Sequence, residues 1–242
     1  MTKAFIMAAG MGKRLRPYTD TLPKPLVPVA GQPTIGHILD HLAAAGVRDV
    51  TVNLHYRADQ LAAYLAQRTT SDLTIRTSYE ETLLDTGGGI KAQLDHFGTD
   101  PFYVINGDAY WTDGAQGNCF HRLSAAWRDA DMDLLLLLQD INRMVLTDGV
   151  GDYAAMPDGR IERQRDASGT YMFAGIRLCH PRLFAGTPDG TFGFLPLMDG
   201  AEANGRLYGL AHDGDWHHIS TPEELERVEA AFAASTAHKV RA

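Results

Sequence analysis

The chain has 242 residues, of which 45% are hydrophobic and 21% are charged, a composition typical of a globular protein with a substantial core. Its formal net charge of −8 argues against general binding to nucleic acids, whose phosphates repel an acidic surface. The most apolar stretch, residues 134–138, is far shorter than the ~20 residues that a helix needs to span a bilayer. Glycines and charges interrupt the apolar residues near the N-terminus, so we expect no signal peptide, no membrane association and a cytoplasmic location.

Short apolar strands alternate with amphipathic helices over the first part of the chain. Strands are predicted at residues 3–8, 49–54, 73–77, 102–106 and 133–139, and helices at residues 33–45, 58–67, 90–97 and 123–129. This alternation predicts an α/β fold whose largely parallel sheet is covered by helices on both faces.

A different pattern begins near residue 150. Short strands are predicted at residues 153–156, 161–164, 171–178 and 206–211, and a helix at residues 221–233. Residues 234–242 have little to bury and are expected to fray. The sequence has no evident linker and no hexapeptide repeat, so we predict one domain over residues 1–242 and no C-terminal β-helix domain.

A glycine-rich loop follows the first predicted strand. It reads Ala8-Ala9-Gly10-Met11-Gly12-Lys13-Arg14. Small residues let backbone amides approach a phosphate closely, and Lys13 and Arg14 add cationic donors. A dinucleotide fingerprint would need glycine where Leu15 stands, and a Walker loop would need Ser or Thr where Arg14 stands. Because residues 1–24 carry a net charge of +4 and the rest of the chain −12, the loop is predicted to bind a compact polyanion such as a triphosphate.

The second motif is a lysine between two prolines. Pro23 and Pro25 are expected to hold Lys24 in an extended segment that cannot become helical. A rigidly held ammonium group is suited to neutralising charge that develops during phosphoryl transfer.

Together with three further motifs, these features resemble those of the sugar-1-phosphate nucleotidyltransferase family. The further motifs are Gly87-Gly88-Gly89, Asn106-Gly107-Asp108 and a closing Trp216…Thr221-Pro222 element. The resemblance covers nearly the whole chain and is greatest to short enzymes that act on N-acetylmuramate 1-phosphate with UTP, with short mannose-1-phosphate guanylyltransferases as near relatives. It implies a three-layer, Rossmann-like (GT-A-like) fold with a mixed, mostly parallel central sheet. Residues 1–130 would hold mainly the nucleotide and residues 131–233 mainly the sugar.

The resemblance also implies roles for individual residues. Asp108 would be a Mg²⁺ ligand, since an oxygen ligand at the carboxyl end of a strand suits that cation, and it would act in catalysis with Arg14 and Lys24. The glycine triplet would form a turn whose main chain reads the base. The residues implied in nucleotide binding are Ala8, Ala9, Gly10, Met11, Gly12, Lys13, Arg14, Glu80, Asp85, Gly87, Gly88 and Asn106, and those implied in sugar binding are Asp152, Glu162 and Gly175.

One position departs from the family pattern. Where the family has a second metal-binding aspartate in Trp-x-Asp-x-Gly-Thr, this chain has His218, and Ser220 replaces the glycine. Imidazole is a poor Mg²⁺ ligand but suits softer ions such as Mn²⁺ or Co²⁺. Three interpretations stay open: Mg²⁺ is held by Asp108, phosphates and water alone; His218 contacts the metal or a phosphate; or Asp213 or Asp215 substitutes.

The predicted reaction joins UTP to N-acetylmuramate 1-phosphate and releases pyrophosphate, in cell-wall sugar recycling. One alternative is a mannose-1-phosphate guanylyltransferase or another nucleotide-sugar synthase. An alternative of a different class, motivated by the missing aspartate, is a non-catalytic nucleotide-sugar binding protein. The implied partners are the two small-molecule substrates, and the chain is expected to be a monomer or a homodimer.

Overall fold

The computed structural model describes the backbone of residues 1–241 and the side chains of residues 1–234. Its strands are β1 Lys3–Met7, β2 Pro28–Val29, β3 Gln32–Pro33, β4 Asp49–Leu54, β5 Thr74–Tyr79, β6 Phe102–Asn106, β7 Ala109–Trp111, β8 Leu134–Asp140, β9 Tyr153–Ala155, β10 Ile161–Arg163, β11 Tyr171–Cys179, β12 Leu207–Ala211 and β13 Trp216–His218. Its α-helices are α1 Thr34–Ala44, α2 Ala58–Arg68, α3 Asp85–Lys91, α4 Leu94–Phe97, α5 Cys119–Ala126, α6 Leu195–Ala203 and α7 Pro222–Arg241.

Nine of the strands in this described part form one mixed sheet. From one edge the order is β12-β8-β11-β6-β1-β4-β5, and a hairpin of β9 and β10 attaches to β11. β6, β1, β4 and β5 are parallel to one another, and β8 is parallel to β12. β11 runs antiparallel to both β6 and β8 and so joins the two parallel blocks. The prediction of a mixed, mostly parallel sheet is confirmed.

Alternating side chains of the strands build a core on each face of the sheet. Ala4 and Ile6 of β1 belong to the core that contains the apolar residues of α1 and α2. Phe5, between them, belongs to the other core with Ile90 of α3 and Met198 of α6. Successive side chains of the strand thus enter opposite cores, as in any strand that is buried on both faces. The sheet is therefore the middle one of the predicted three layers, with helices on each side.

Several elements differ from the sequence-based predictions. The helix predicted at residues 90–97 begins at Asp85, so it contains the glycine triplet, and α4 is a separate turn. The helix predicted at residues 123–129 spans Cys119–Ala126, because the Asn118 side chain accepts hydrogen bonds from two amides of its first turn. β7 and β13 were not predicted, since each is three residues long and they pair across about half the chain.

The last helix also differs from its prediction. α7 begins at Pro222, one residue after the predicted start, and continues to Arg241, past the predicted end at residue 233. The expected fraying of residues 234–242 stays a prediction, because the side chains from residue 235 onward lie outside the described residues. Within the residues described, no helix combines the length and apolar character needed to cross a bilayer.

Candidate active site

A cavity of about 670 Å³ opens at the carboxyl ends of β1, β4 and β6. Its lining residues are Met7, Ala8, Ala9, Gly10, Gly12, Lys13, Arg14, Lys24, Pro25, Asn53, Glu80, Leu83, Asp85, Thr86, Asn106, Gly107, Asp108, Thr191 and Ser220. Ligands of open parallel sheets bind outside the carboxyl ends of the strands, so this is the position expected for a substrate site.

The glycine loop forms one wall of the cavity in a tightly specified conformation. The Ala8 amide donates a hydrogen bond of 2.6 Å to Asn53 Oδ1. Gly12 has a φ of 61°, and a Cβ atom there would lie 2.9 Å from the Cβ of Lys24. Glycine is therefore required at position 12 by both backbone conformation and space.

Two cations of the loop line the cavity. Lys13 and Arg14 lie in a one-turn 3-10 helix that ends at Leu15, whose buried side chain anchors the turn in the core. Met11, predicted to bind the nucleotide, is 37% exposed and is not among the lining residues. The structure thus brings both predicted cations to the cavity and leaves Met11 outside it.

Lys24 is not in the extended segment that the flanking prolines predicted. Lys24–Leu26 is a one-turn 3-10 helix in which the Leu26 amide donates to the Pro23 carbonyl at 2.8 Å. The prediction was wrong because Pro25 lies in the first turn, where a missing amide leaves no helical hydrogen bond unmade. The turn nevertheless directs Lys24 into the cavity.

Lys24 forms an ion pair with Asp108, which follows β6. Its Nζ donates to Asp108 Oδ2 at 2.8 Å, and the two side chains are 14% and 26% exposed. Burial alone would disfavour the charged carboxylate, but attraction to Lys24 and the nearby His218 outweighs it and holds the pKa of Asp108 well below its usual range. Asp108 is therefore ionised at physiological pH.

His218 lies near Asp108 but its hydrogen bond goes elsewhere. β13 brings it to the site by pairing with Ala109 of β7, next to Asp108 in the chain. Its Nε2 is 3.7 Å from Asp108 Oδ2, too far for a hydrogen bond, and 2.8 Å from Ser220 Oγ. Ser220 itself lines the cavity. The two residues that depart from the family motif thus bond to each other at the cavity wall.

Asp108 is the candidate metal-binding residue of this site. Among the described side chains, no group of three or more His, Cys, Asp or Glu residues is arranged to hold a metal ion. Asp213 and Asp215 lie outside the cavity lining, and Asp213 is paired with Arg122 at 2.6 Å. Asp108 uses Oδ2 for Lys24, which leaves Oδ1 without a hydrogen bond from the described residues. An ionised carboxylate with a free oxygen fits a hard divalent cation.

A buried hydrogen-bonded pair underlies the cavity. Asn53 Nδ2 donates to Glu80 Oε1 at 2.8 Å, and the Leu84 amide donates to Glu80 Oε2 at 2.9 Å. Since Asn53 also accepts from Ala8, one network joins the glycine loop to the start of α3. Glu80 was among the predicted site residues and Asn53 was not, although a polar residue near the carboxyl end of a buried strand was an available signal.

The glycine triplet was predicted to be a base-reading turn, but it lies in helix α3 and packs against another segment of the chain. The amides of Gly87 and Gly88 both donate to the Phe192 carbonyl, at 2.9 and 3.0 Å. A Cβ atom at Gly88 would lie 2.1 Å from a backbone oxygen of residues 187–194, so glycine permits the close approach of this segment. Gly87 and Gly88 do not line the cavity, whereas Asp85 of the same helix does.

The three predicted sugar-binding residues lie outside the cavity lining. Glu162 is exposed on β10, and Asp152 is half-buried beside β9, where burial raises its pKa. Gly175 adjoins the cavity through Asn106, because a Cβ atom at Gly175 would lie 3.1 Å from the Asn106 Cβ. Thr191, which lines the cavity and donates to a backbone carbonyl at 3.2 Å, was missed because nothing local in the sequence indicates its long-range placement.

Comparisons with known proteins identify the family of the chain. The sequence profile of the nucleotidyl transferase family matches residues 3–133. An N-acetylmuramate α-1-phosphate uridylyltransferase from Caulobacter vibrioides is 37% identical over 235 residues, covering 95% of this chain and 96% of that protein. A protein of the same name from Neisseria meningitidis serogroup B is 32% identical, covering 96% and 99%. A solved UDP-glucose pyrophosphorylase from Acinetobacter baumannii has a TM-score of 0.75 at 17% identity, covering 94% of this chain and 92% of that one. The chain therefore belongs to the nucleotidyl transferase family and is a sugar-1-phosphate nucleotidyltransferase.

Proposed function

We propose that this enzyme transfers the uridylyl group of UTP to N-acetylmuramate 1-phosphate, giving a UDP-sugar and pyrophosphate. The choice of substrates is supported by the names of two relatives that match over nearly their full length. The observation that carries the reaction class is the Lys24–Asp108 ion pair, which lies in the same cavity as the glycine loop and its cations.

The proposed chemistry is an in-line displacement at the α-phosphorus of the triphosphate. An oxygen of the sugar phosphate forms a bond to this phosphorus as the bond to pyrophosphate breaks. A phosphate monoester is already ionised near neutral pH, so no side chain has to remove a proton. Lys13 and Arg14 hold the leaving pyrophosphate, and Lys24 stabilises the charge on the α-phosphoryl group, so catalysis rests on positioning and charge neutralisation.

Asp108 is the residue proposed to hold a divalent cation. Mg²⁺ is the first choice, with Mn²⁺ or Co²⁺ as alternatives, because the carboxylate is ionised and its Oδ1 is free. A bound cation would neutralise phosphate charge. His218 is the weaker ligand candidate, since its Nε2 is already bonded to Ser220.

The substrates are proposed to occupy two parts of one domain. The nucleotide would bind mainly to residues 1–130, where Glu80 and Asn106 complement the glycine loop. The sugar would bind toward residues 131–233, near Gly175, with Asp152 and Glu162 as outer candidates. The proposed biological role is cytoplasmic recycling of a peptidoglycan sugar, by a monomer or a homodimer.

A substrate panel tests this proposal directly. UTP, GTP, CTP and dTTP are each combined with N-acetylmuramate 1-phosphate, N-acetylglucosamine 1-phosphate, mannose 1-phosphate and glucose 1-phosphate, with Mg²⁺ or Mn²⁺, and pyrophosphate release is measured. N-acetylglucosamine 1-phosphate is the matched control, because it lacks only the carboxylate-bearing ether of the muramate. We expect the highest kcat/KM for UTP with N-acetylmuramate 1-phosphate. A preference for GTP with mannose 1-phosphate would identify a guanylyltransferase instead, and binding without turnover would contradict the proposed reaction.

A further inference from the structure

A buried arginine lies directly behind the cavity. Arg177 of β11 is 3% exposed, and within the described residues it makes no ion pair with a carboxylate. Its guanidinium carbon lies 4.1 Å from the ring centre of Phe194 and 5.0 Å from that of Phe173. Its nitrogens lie 3.8 Å from the Met7 sulfur and 3.9 Å from the Met198 sulfur. A buried charge without a counter-charge is costly, so stability alone does not account for an arginine here.

Arg177 donates a hydrogen bond to the side-chain oxygen of Asn106, a residue that lines the cavity. Arg177 Nη2 donates to Asn106 Oδ1 at 3.2 Å, while its Nε is buried without a partner. Burial lowers the pKa of Arg177 to about 10, so the guanidinium is protonated at neutral pH. Because a guanidinium only donates hydrogen bonds, it selects the oxygen of the Asn106 amide and leaves the nitrogen on the other side.

The other end of this amide is available to a ligand. Asn106 lines the cavity, and its Nδ2 makes no hydrogen bond in the described part of the chain. Its backbone is held by pairing with Met7 in the sheet. Gly175 has a φ of 73° and leaves space for the amide, since a Cβ atom there would lie 3.2 Å from Asn106 Nδ2. β11 therefore supplies both the space for the amide and the cation that orients it.

We propose that Arg177 is a positioning residue for the transfer reaction: it fixes the Asn106 amide so that Nδ2 donates to an oxygen of the bound nucleoside triphosphate. The inference rests on the proposed binding of the nucleotide in this cavity. Without Arg177 the amide is free to rotate and present its own oxygen, which would repel the oxygens of the nucleotide. On this proposal, the chain has a destabilising buried cation because the reaction requires it.

The replacement Arg177→Met separates this role from a structural one. Methionine keeps much of the side-chain length in surroundings that already contain two methionine sulfurs, so Tm should stay unchanged or rise. Binding of UTP with Mg²⁺, measured by calorimetry, should weaken about 10-fold, and kcat/KM for UTP should fall about 10- to 100-fold. The KM for the sugar phosphate should stay within about twofold. Arg182→Met is the control, because Arg182 follows the C-terminal end of β11, lies outside the cavity lining and pairs with Asp133 at 2.7 Å.

A double-mutant cycle with Asn106→Ala decides whether Arg177 acts through Asn106. In the Asn106→Ala background, Arg177→Met should weaken UTP binding no further. The inference would be overturned if the two replacements weakened UTP binding additively. It would also be overturned if their coupling appeared only in the KM of the sugar phosphate. A fall in Tm with unchanged UTP binding would also overturn it.

A second variant keeps the test decisive if Arg177→Met does not fold. Asn106→Asp retains an acceptor for Arg177 and adds an ion pair, but the new side chain has no donor at neutral pH. Tm should rise while UTP binding weakens about 10-fold or more. Wild-type affinity for UTP in this variant would contradict the inference. Failure of the proposed function would look different, because the wild-type enzyme itself would then release no pyrophosphate from UTP.

Discussion

The replacement Lys24→Met tests the ion pair at the centre of the site. It removes an ammonium group 2.8 Å from Asp108 Oδ2 and retains most of the side-chain length. The two side chains are 14% and 26% exposed, so the pair lies between surface pairs, worth under ~1 kcal/mol, and fully buried pairs, whose disruption costs ~3–5 kcal/mol. We expect the free energy of unfolding to fall by about 1–3 kcal/mol, which for a chain of this size lowers Tm by roughly 2–12 °C.

This destabilisation should depend on pH in a definite direction. The pKa of Asp108 in the folded protein lies below its unfolded value of ~3.9. The ion pair therefore contributes its full stability above about pH 4 and loses it as the pH falls through the folded pKa. The difference in Tm between the wild type and Lys24→Met should be largest between about pH 6 and 8 and shrink below about pH 4.

The same variant measures the role of Lys24 in catalysis. Pyrophosphate release at saturating substrates should fall by about 10²- to 10³-fold, as when one preorganised charge-stabilising donor is lost. Adding Asp108→Asn should recover stability, because the unpaired charge is removed, but not turnover. Lys3→Met is the control, since Lys3 Nζ bonds the His96 carbonyl at 2.6 Å at the amino end of β1. Near-normal turnover by a folded Lys24→Met enzyme would refute the assignment of Lys24 to the reaction.

Three further outcomes are expected. Asn53→Ala leaves the buried Ala8 amide without its acceptor, so Tm should fall by the equivalent of about 1–3 kcal/mol and the KM for UTP should rise; unchanged values of both would show that the bond does not support the loop. Gly88→Ala places a Cβ atom 2.1 Å from the Gly190 oxygen, so amide hydrogen exchange should quicken in residues 187–194 but not in α2. Equal protection of residues 187–194 in the wild type and the variant would contradict the close packing. His218→Asp should preserve or raise Mg²⁺-supported turnover if the histidine is a tolerated replacement; loss of turnover in a folded variant, measured over a Mg²⁺ titration, would show that the histidine has its own role.

The sheet and the loop proposed to bind phosphate were predictable because their signals are local. The continuous apolar runs of β1 and β8, which are buried along almost their whole length, and the step from a strand into a glycine loop depend on neighbouring residues alone. The charges of Lys13 and Arg14 belong to the loop itself, and the structure brings both to the cavity. Asp108 also lines the cavity, and the end of a buried strand was the positional signal that singled it out in the sequence.

The rest depended on contacts between distant parts of the chain. The glycine triplet predicted a turn, but it lies in helix α3, where the absence of side chains permits the close approach of residues 187–194. Pro25 predicted extended backbone at Lys24, yet a proline in the first helical turn loses no hydrogen bond.

Arg177 received no role in the sequence analysis, since an arginine in an apolar strand carries no local indication of what its guanidinium will reach. Folding places β11 antiparallel to β6 and so brings Arg177 against Asn106, 71 residues earlier in the chain. Local sequence thus determined the sheet, the loop and their charges. The partners of buried polar groups were decided only in the tertiary structure, because a hydrogen bond or ion pair depends on atoms that approach within about 3 Å regardless of their separation in sequence.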